Sequence, residues 1–275
     1  MIDRRPSHAR RRTGLIATLA AALLVLTAGI AFATTVTIVS KKVTLPHDST
    51  THKTTAKCPL GTKAAGGGVR LKDDVNDYFQ GSYPTTANRR LWVGEAWRAS
   101  SQSTDSAFTV YATCVKGQLK VRSKTKSLPD DSVSHSATAT CPAGTKVIGG
   151  GTQLGDSLDD YMTGTYPAGT TGWTGSAYRG VTGTASFTAW AVCLPAGRVS
   201  VKSQKYSLPD DGGTHVKTVT CPAGTSATGG GVKLGDPNND VPQGSYPAGK
   251  TSWTGAATRG TTGSSTFTVF AVCVK

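Results

Sequence analysis

The side chains in this chain with the greatest potential for chemistry are acidic residues and histidines that recur at fixed positions. Three loops carry the pattern Asp-x-x-(Asn or Asp)-Asp, which brings hard oxygen ligands close together, as calcium requires. The candidate ligands are Asp73, Asn76, Asp77, Asp156, Asp159, Asp160, Asp236, Asn239 and Asp240. The spacing is not that of an EF-hand. The alternative is that these side chains cap turns through their own backbone.

Three histidines occupy one equivalent position, four residues after a recurring Leu-Pro-x-Asp motif. They are His52, His135 and His215. If the repeats closed about a threefold axis near these residues, the three rings would converge and could bind zinc. The alternative is that each histidine lies separately in a solvated stretch rich in Ser and Thr.

Basic residues alternate along one segment of the second repeat. Lys120, Arg122, Lys124 and Lys126 would share one face of a strand and attract polyanions. The alternative is that they protect an edge strand from aggregation. Three further recurring arginines could add to binding or pair internally with the Asp loops: Arg98, Arg179 and Arg259.

Sequence motifs for catalysis are missing from the chain. It contains neither Gly-x-Ser-x-Gly nor His-Glu-x-x-His, and its single glutamate is Glu95. Recurring Tyr and Trp residues could stack on sugars, but in a β repeat they more often form the core. The sequence therefore predicts a protein that is not an enzyme and needs no cofactor, with calcium at the Asp loops, ahead of zinc at the histidines, as the candidate ions.

These residues must be positioned by a threefold internal repeat. The block Cys-Pro-x-Gly-Thr-x-x-x-Gly-Gly-Gly begins at residues 58, 141 and 221, and Phe-Thr-x-x-Ala-x-Cys ends at residues 114, 193 and 273. Each copy contains about six short segments with the alternation of strands, joined by Gly and Pro turns. The expected fold is all-β, with three sandwich-like or barrel-like repeats at 34–116, 117–196 and 197–275. Because the links between repeats are short, we expect them to pack, with a pseudo-threefold arrangement.

The same repeat predicts the disulfides and the fit of the glycine triplets. One bridge per copy pairs Cys58 with Cys114, Cys141 with Cys193, and Cys221 with Cys273. Each would stabilise its repeat by about 4 kcal/mol in the chain-entropy model. Three glycines in a strand let another backbone or a large ring approach closely, and the recurring Trp is the obvious ring.

The first 33 residues have the features of an export signal. Five arginines precede a charge-free run that ends in Ala31-Phe32-Ala33, as a signal peptidase accepts. An uncleaved membrane anchor is the alternative. The leader carries five Arg and one Asp, so the net charge falls from +14 to +10 without it. This basic charge favours anionic polymers or glycans as partners, with no specific nucleic-acid recognition and membrane contact only through an uncleaved leader.

The spacing of the Cys-Pro-x-Gly, Gly-Gly-Gly and Ala-x-Cys elements resembles a module of secreted proteins from high-GC Gram-positive bacteria, and of some phage-associated surface proteins. The resemblance implies an extracellular β module with one disulfide and supplies no catalytic residue. The three-repeat β-prism of vitelline membrane outer layer protein is a more distant comparison, with shorter repeats.

Three functional hypotheses follow. The first is a secreted or cell-surface protein that binds an anionic or carbohydrate ligand without catalysis. The second is a purely structural coat protein, and the third is a hydrolase of envelope polymers.

Overall fold

In the computed structural model, residues 35–195 and 197–275 are described, and they form strands, turns and bends without a helix. The predicted signal segment lies outside the described residues. The strands are β1 (Thr37–Leu45), β2 (Thr51–Lys57), β3 (Lys63–Leu71), β4 (Asp77–Pro84), β5 (Leu91–Arg98), β6 (Ser106–Val115), β7 (Lys120–Pro129), β8 (His135–Thr140), β9 (Thr145–Leu154), β10 (Asp160–Ala168), β11 (Gly172–Arg179), β12 (Thr184–Pro195), β13 (Val199–Leu208), β14 (Thr214–Thr220), β15 (Ser226–Leu234), β16 (Asp240–Pro247), β17 (Ser252–Arg259) and β18 (Ser265–Val274). The six strands expected in each repeat are confirmed.

The eighteen strands of the described residues form three six-stranded antiparallel sheets, and each sheet is shared between two repeats. Sheet I has the order β1-β6-β3-β16-β17-β14 and joins repeats 1 and 3. Sheet II, β2-β5-β4-β9-β12-β7, joins repeats 1 and 2. Sheet III, β13-β18-β15-β10-β11-β8, joins repeats 2 and 3. This cyclic sharing confirms the expected threefold arrangement and explains why the repeats cannot be independent units.

Each repeat is a small sandwich whose two three-stranded halves belong to different sheets. The repeating tryptophan fills the space between the halves, because its indole is apolar while its N–H finds a partner. Trp92, for example, is fully buried and donates to the Ser82 hydroxyl at 2.7 Å. Trp173 and Trp253 make the same bond to Thr165 and Ser245. The recurring tryptophan is therefore a core residue in all three repeats.

The disulfides tie the two halves of each sandwich together. The predicted pairs are confirmed: Cys58–Cys114, Cys141–Cys193 and Cys221–Cys273. In repeat 1 the bridge connects the residue after β2, in sheet II, to β6, in sheet I. Each bridge thus links the two halves of its repeat, whose strands do not pair with each other in a sheet.

The first glycines of the three triplets meet one another at the centre of the molecule. A Cβ on Gly66 would lie 3.1 Å from the Cα of Gly229, one on Gly229 would lie 2.7 Å from Gly149, and one on Gly149 would lie 2.9 Å from Gly66. Each of these glycines follows a β-bulge that tips the strand towards the centre. This cyclic contact defines the pseudo-threefold axis.

The second and third glycines of each triplet meet other neighbours. A Cβ on Gly150 would lie 2.3 Å from the ring of Trp173, and one on Gly151 would lie 1.8 Å from the carbonyl oxygen of Ser82 in the neighbouring repeat. The expectation that the triplets admit a ring and a second backbone is therefore confirmed. Within one triplet, the middle glycine makes room for the tryptophan of its own repeat, and the first and third allow the backbone of a neighbouring repeat to approach.

Candidate functional site

The most exposed charged element is the basic edge strand β7. Lys120, Arg122, Lys124 and Lys126 are all exposed, and β7 is hydrogen-bonded to a neighbour on one side only, through β12. Their partners in the register are inward-facing residues of β12, so the four cations share one face of the strand. Adjacent cations on that face are about 7 Å apart along the strand. Such a row suits an extended polyanion better than a single small anion.

The corresponding edge strands of the other repeats carry fewer cations on this face. At the equivalent register positions, β1 has Lys41 as its one cation and β13 has Lys202 as its one cation. The fourth cation of β7, Lys126, donates to the backbone oxygen of Ser136 at 3.1 Å, and Val43 and Tyr206 stand in its place in the other repeats. The basic row is therefore a property of repeat 2 alone.

The recurring arginines take the internal role, and their side chains are largely buried. Arg98 contacts both Asp73, at 2.9 Å, and Asp77 through one guanidinium nitrogen, and only 4% of its surface is exposed. Equivalent contacts join Arg179 to Asp156 and Asp160, and Arg259 to Asp236 and Asp240. Of the two roles that the sequence allowed, the structure shows internal pairing with the Asp loops, and ligand binding by these arginines stays a prediction.

In each Asp loop, the first and last Asp therefore both contact one guanidinium nitrogen of the recurring arginine. Asn76 and Asn239 donate through their side-chain amides to the first Asp of their own loops, and Asp159 occupies the same position in repeat 2. Burial raises the pKa of Asp77, although its hydrogen bonds and the Arg98 charge oppose the shift. Among residues 35–195 and 197–275, no three His, Cys, Asp or Glu side chains converge as metal ligands would.

The three histidines stay apart, contrary to the convergence that a zinc site would need. They lie on β2, β8 and β14, each the outermost strand of a different sheet, whereas the glycines occupy the axis. Each ring instead contacts an Asp four residues earlier: His52 with Asp48, His135 with Asp131, and His215 with Asp211, at 2.9–3.0 Å. The hydrogen bond with His52 lowers the pKa of Asp48 to about 2.

Repeat 1 adds a hydroxyl to its His–Asp pair, but the geometry is not that of a catalytic triad. Thr50 Oγ1 lies 2.9 Å from His52 Nε2, and Asp48 lies 3.0 Å from the same nitrogen. A triad requires the nucleophile and the carboxylate on opposite ring nitrogens, so that the ring can accept a proton on one side and be held on the other. Here both partners share one nitrogen.

The outer faces of the sheets carry aromatic rows that cross the junctions between repeats. In sheet III, Tyr166 stacks on Phe270 with ring centroids 5.7 Å apart, and in sheet I, Tyr246 stacks on Tyr111 at 5.9 Å. These rings are partly exposed, unlike the core tryptophans. The recurring aromatic residues thus divide into a buried set and a set at the repeat junctions.

Sequence reasoning gave no role to Glu95. Its carboxyl is 6% exposed and accepts a hydrogen bond of 2.7 Å from the hydroxyl of Tyr83, which is also buried. Burial raises the pKa of Glu95, and burial together with the Glu95 charge raises the pKa of Tyr83. The equivalent positions are Ser176 and Ala256. The sequence signal for a special role of Glu95 was that the only glutamate of the chain stands where the other two repeats have Ser and Ala.

Three structural disulfides are consistent with an extracellular or secreted protein. The part of the chain that the structure describes offers no helix long and apolar enough for a membrane span. No protein-family model matches the chain, and no curated protein sequence matches it either.

Proposed function

We propose that the protein is a secreted or cell-surface protein without catalytic activity, and that it binds an anionic extracellular polymer through the basic edge strand β7. The observation that carries the proposal is the row of four exposed cations on one face of that strand. Attraction between opposite charges extends over the Debye length, about 8 Å at physiological ionic strength. Adjacent cations of the row are about 7 Å apart, so an anionic group on the row is attracted by more than one of them. The proposal assigns no metal or cofactor.

Protection of a sheet edge accounts for only part of the row. Strands β1 and β13 are edge strands too, and each has one lysine on the equivalent inward-pointing face. One lysine is therefore enough to protect each of those edges from pairing with another strand. Edge protection therefore does not explain the three further cations on β7, whereas attraction of a polyanion does.

The positions of the acidic residues support a non-catalytic role. The recurring Asp side chains are engaged by arginine or by histidine within their own repeats. A hydrolase of envelope polymers would need a cleft with a free carboxyl pair about 5–9 Å apart. The His52 cluster lacks the geometry for nucleophilic attack, as described above.

Retention on immobilised heparin at increasing salt tests the proposal. The test variant replaces Lys120, Arg122, Lys124 and Lys126 by Gln. Its control removes four charges from the equivalent edges, by Gln at Lys41, Lys42, Lys202 and Lys205. We expect the test variant to elute at clearly lower salt than the control, because the polymer contacts the row and not the net charge.

Equal elution of both variants would show that net charge alone governs retention. The same two proteins distinguish the structural alternative. If the row only protects an edge, the test variant will self-associate in sedimentation velocity while heparin retention follows net charge.

A further inference from the structure

Equivalent rows of four residues cross the three sheets where the repeats join, and their side chains lie on the outer face. In sheet III, Ser136 pairs with Ser176, and Gly164 pairs with both Ser176 and Lys233. The corresponding row of sheet II is Lys53, Glu95, Gly81 and Gln153, and that of sheet I is Val216, Ala256, Gly244 and Arg70. The glycine in each row has no side chain of its own, and in sheet III the Tyr166 ring lies 3.3 Å from where a Cβ on Gly164 would stand.

In sheet II the place over the glycine of the row is filled by a carboxyl group of the chain itself. The Glu95 carboxyl lies over Gly81, because a Cβ there would be 2.8 Å from Oε2, and the Tyr83 hydroxyl donates to Oε1. The residue across the junction is the neutral Gln153. Sheet II therefore shows that this position accepts a carboxyl group and that the junction tyrosine hydrogen-bonds it.

In sheet III the equivalents of Glu95, Tyr83 and Gln153 line a cavity of about 150 Å³, which we call the junction pocket. Its lining combines five hydroxyl groups and one cation with two apolar residues: Ser134, Ser136, Thr163, Tyr166, Ser176, Lys233, Leu234 and Pro237. Ser176 replaces the glutamate, and Lys233 replaces Gln153. The Lys233 ammonium lies 5.6 Å from the centre of the Tyr166 ring. Burial raises the pKa of Tyr166, and a hydrogen bond with Ser176 opposes the shift.

Sheet I has the cation without the hydroxyls. Arg70 lies 5.7 Å from the ring of Tyr246, but Ala256 and Val216 replace the two serines. In sheet II the carboxyl group of Glu95 has Lys53 as its cross-strand neighbour and the neutral Gln153 across the junction, whereas sheets I and III have a cation across the junction and no carboxyl group in the row. The combination of cation, hydroxyl donors and space belongs to sheet III.

We propose that the junction pocket of sheet III binds a carboxylate from outside the chain, in the position that the Glu95 side chain fills in sheet II. Tyr166 and Ser176 donate hydrogen bonds to the carboxylate oxygens, and Lys233 supplies the opposite charge. The other hydroxyl groups are those of Ser136 and of Ser134 and Thr163, which are 2.6 Å apart and hydrogen-bonded to each other. Their further donor and acceptor capacity suits a ligand with hydroxyl groups of its own, as a uronic acid has. The pocket adjoins the basic edge strand, because Lys126 donates to the backbone oxygen of Ser136, but no residue of β7 lines it. Its occupancy does not depend on the function proposed above.

Titration of the ¹⁵N-labelled full chain with sodium acetate tests the pocket, with sodium chloride at equal ionic strength as the control. We expect the amide signals of Tyr166, Ser176 and Lys233 to shift with acetate and to saturate, and not to shift with chloride. Glucuronate and glucose form two further arms. Glucuronate shifting the same amides identifies the acid group of a sugar as a source, and glucose shifting them as strongly overturns the proposal.

Two variants locate the carboxylate. Ser176→Glu installs the side chain of repeat 1 and should abolish the acetate response, because the pocket is then filled from within. Lys233→Gln changes an exposed side chain, so it leaves the fold intact, and it should weaken acetate binding about tenfold through loss of a charge-assisted bond. Lys202→Gln, on the edge strand of the same sheet, should bind as the wild type does. Binding of acetate to Lys233→Gln at wild-type affinity would overturn the proposal.

Discussion

At the scale of single residues, the largest asymmetry among the repeats is Glu95, a buried carboxyl where the other copies have Ser or Ala. Its raised pKa means that the folded state prefers the protonated form. Stability from this group is therefore greatest below its unfolded pKa of about 4.5 and is lost as the pH rises towards the folded value.

We expect Glu95→Gln to raise the melting temperature at about pH 7 and to leave it nearly unchanged at about pH 3. The amide oxygen can still accept the Tyr83 hydrogen bond, while the cost of burying a charge disappears. Thermal unfolding followed by circular dichroism at the two pH values measures the effect. Asp130→Asn, in an exposed turn, removes a solvated carboxylate and is the control. A lower melting temperature for Glu95→Gln at neutral pH would contradict this account.

The role of the recurring arginines shows what residue-scale prediction can and cannot settle. The sequence gives Arg98 two possible roles, and a side chain on a strand can point to either face depending on register. The register places Arg98 opposite Asp77, and this pairing decides for the internal role. Likewise, the position of Glu95 can be found as a departure from the repeat, but its partner Tyr83 follows only from the pairing of β4 with β5.

At the scale of elements, the glycine triplets determine how closely strands approach. Their middle member lies under the core tryptophan, so its lack of a side chain sets the thickness of each sandwich. The alternation of strands and the disulfides could be predicted from sequence, because both depend on local pattern and on the repeat. The bulge before each triplet could not, because it depends on the central contact among three repeats.

We expect Gly150→Ala to destabilise the protein by about 3 kcal/mol or more, because the added methyl overlaps a ring that has no room to move. A Cβ there would lie 2.3 Å from both the Trp173 ring and the backbone oxygen of Trp190. Gly197→Ala, with no neighbouring atom within 4 Å, is the control and should be neutral. Urea unfolding with intact disulfides gives both values, and equal midpoints for the two variants would refute the packing argument.

At the scale of the whole molecule, the shared sheets make the three repeats one cooperative structure. Repeat 2 supplies β9 to sheet II and β10 to sheet III, so both of these strands have hydrogen-bonded neighbours in other repeats. The sequence establishes three copies and short links. It does not show that each sheet crosses from one copy to the next, because identical strands could pair equally well within a copy.

We therefore expect residues 117–196, produced alone with their disulfide, to be unfolded or to assemble as a trimer. A monomer would expose the unpaired edges of β9 and β10 and the glycine surface at the axis. Sedimentation velocity with circular dichroism distinguishes the outcomes, and the full chain is the control. A stably folded monomer would show that the shared sheets are not needed for folding.

The cyclic order of the sheets also has a consequence for chain connectivity. The links from β6 to β7 and from β12 to β13 are short, spanning residues 116–119 and 196–198. By the same symmetry, we expect the end of β18 to lie close to the start of β1. Backbone cyclisation with a linker of three or four residues should thus leave the fold unchanged. Circular permutants opened at either natural link should then form the same three shared sheets.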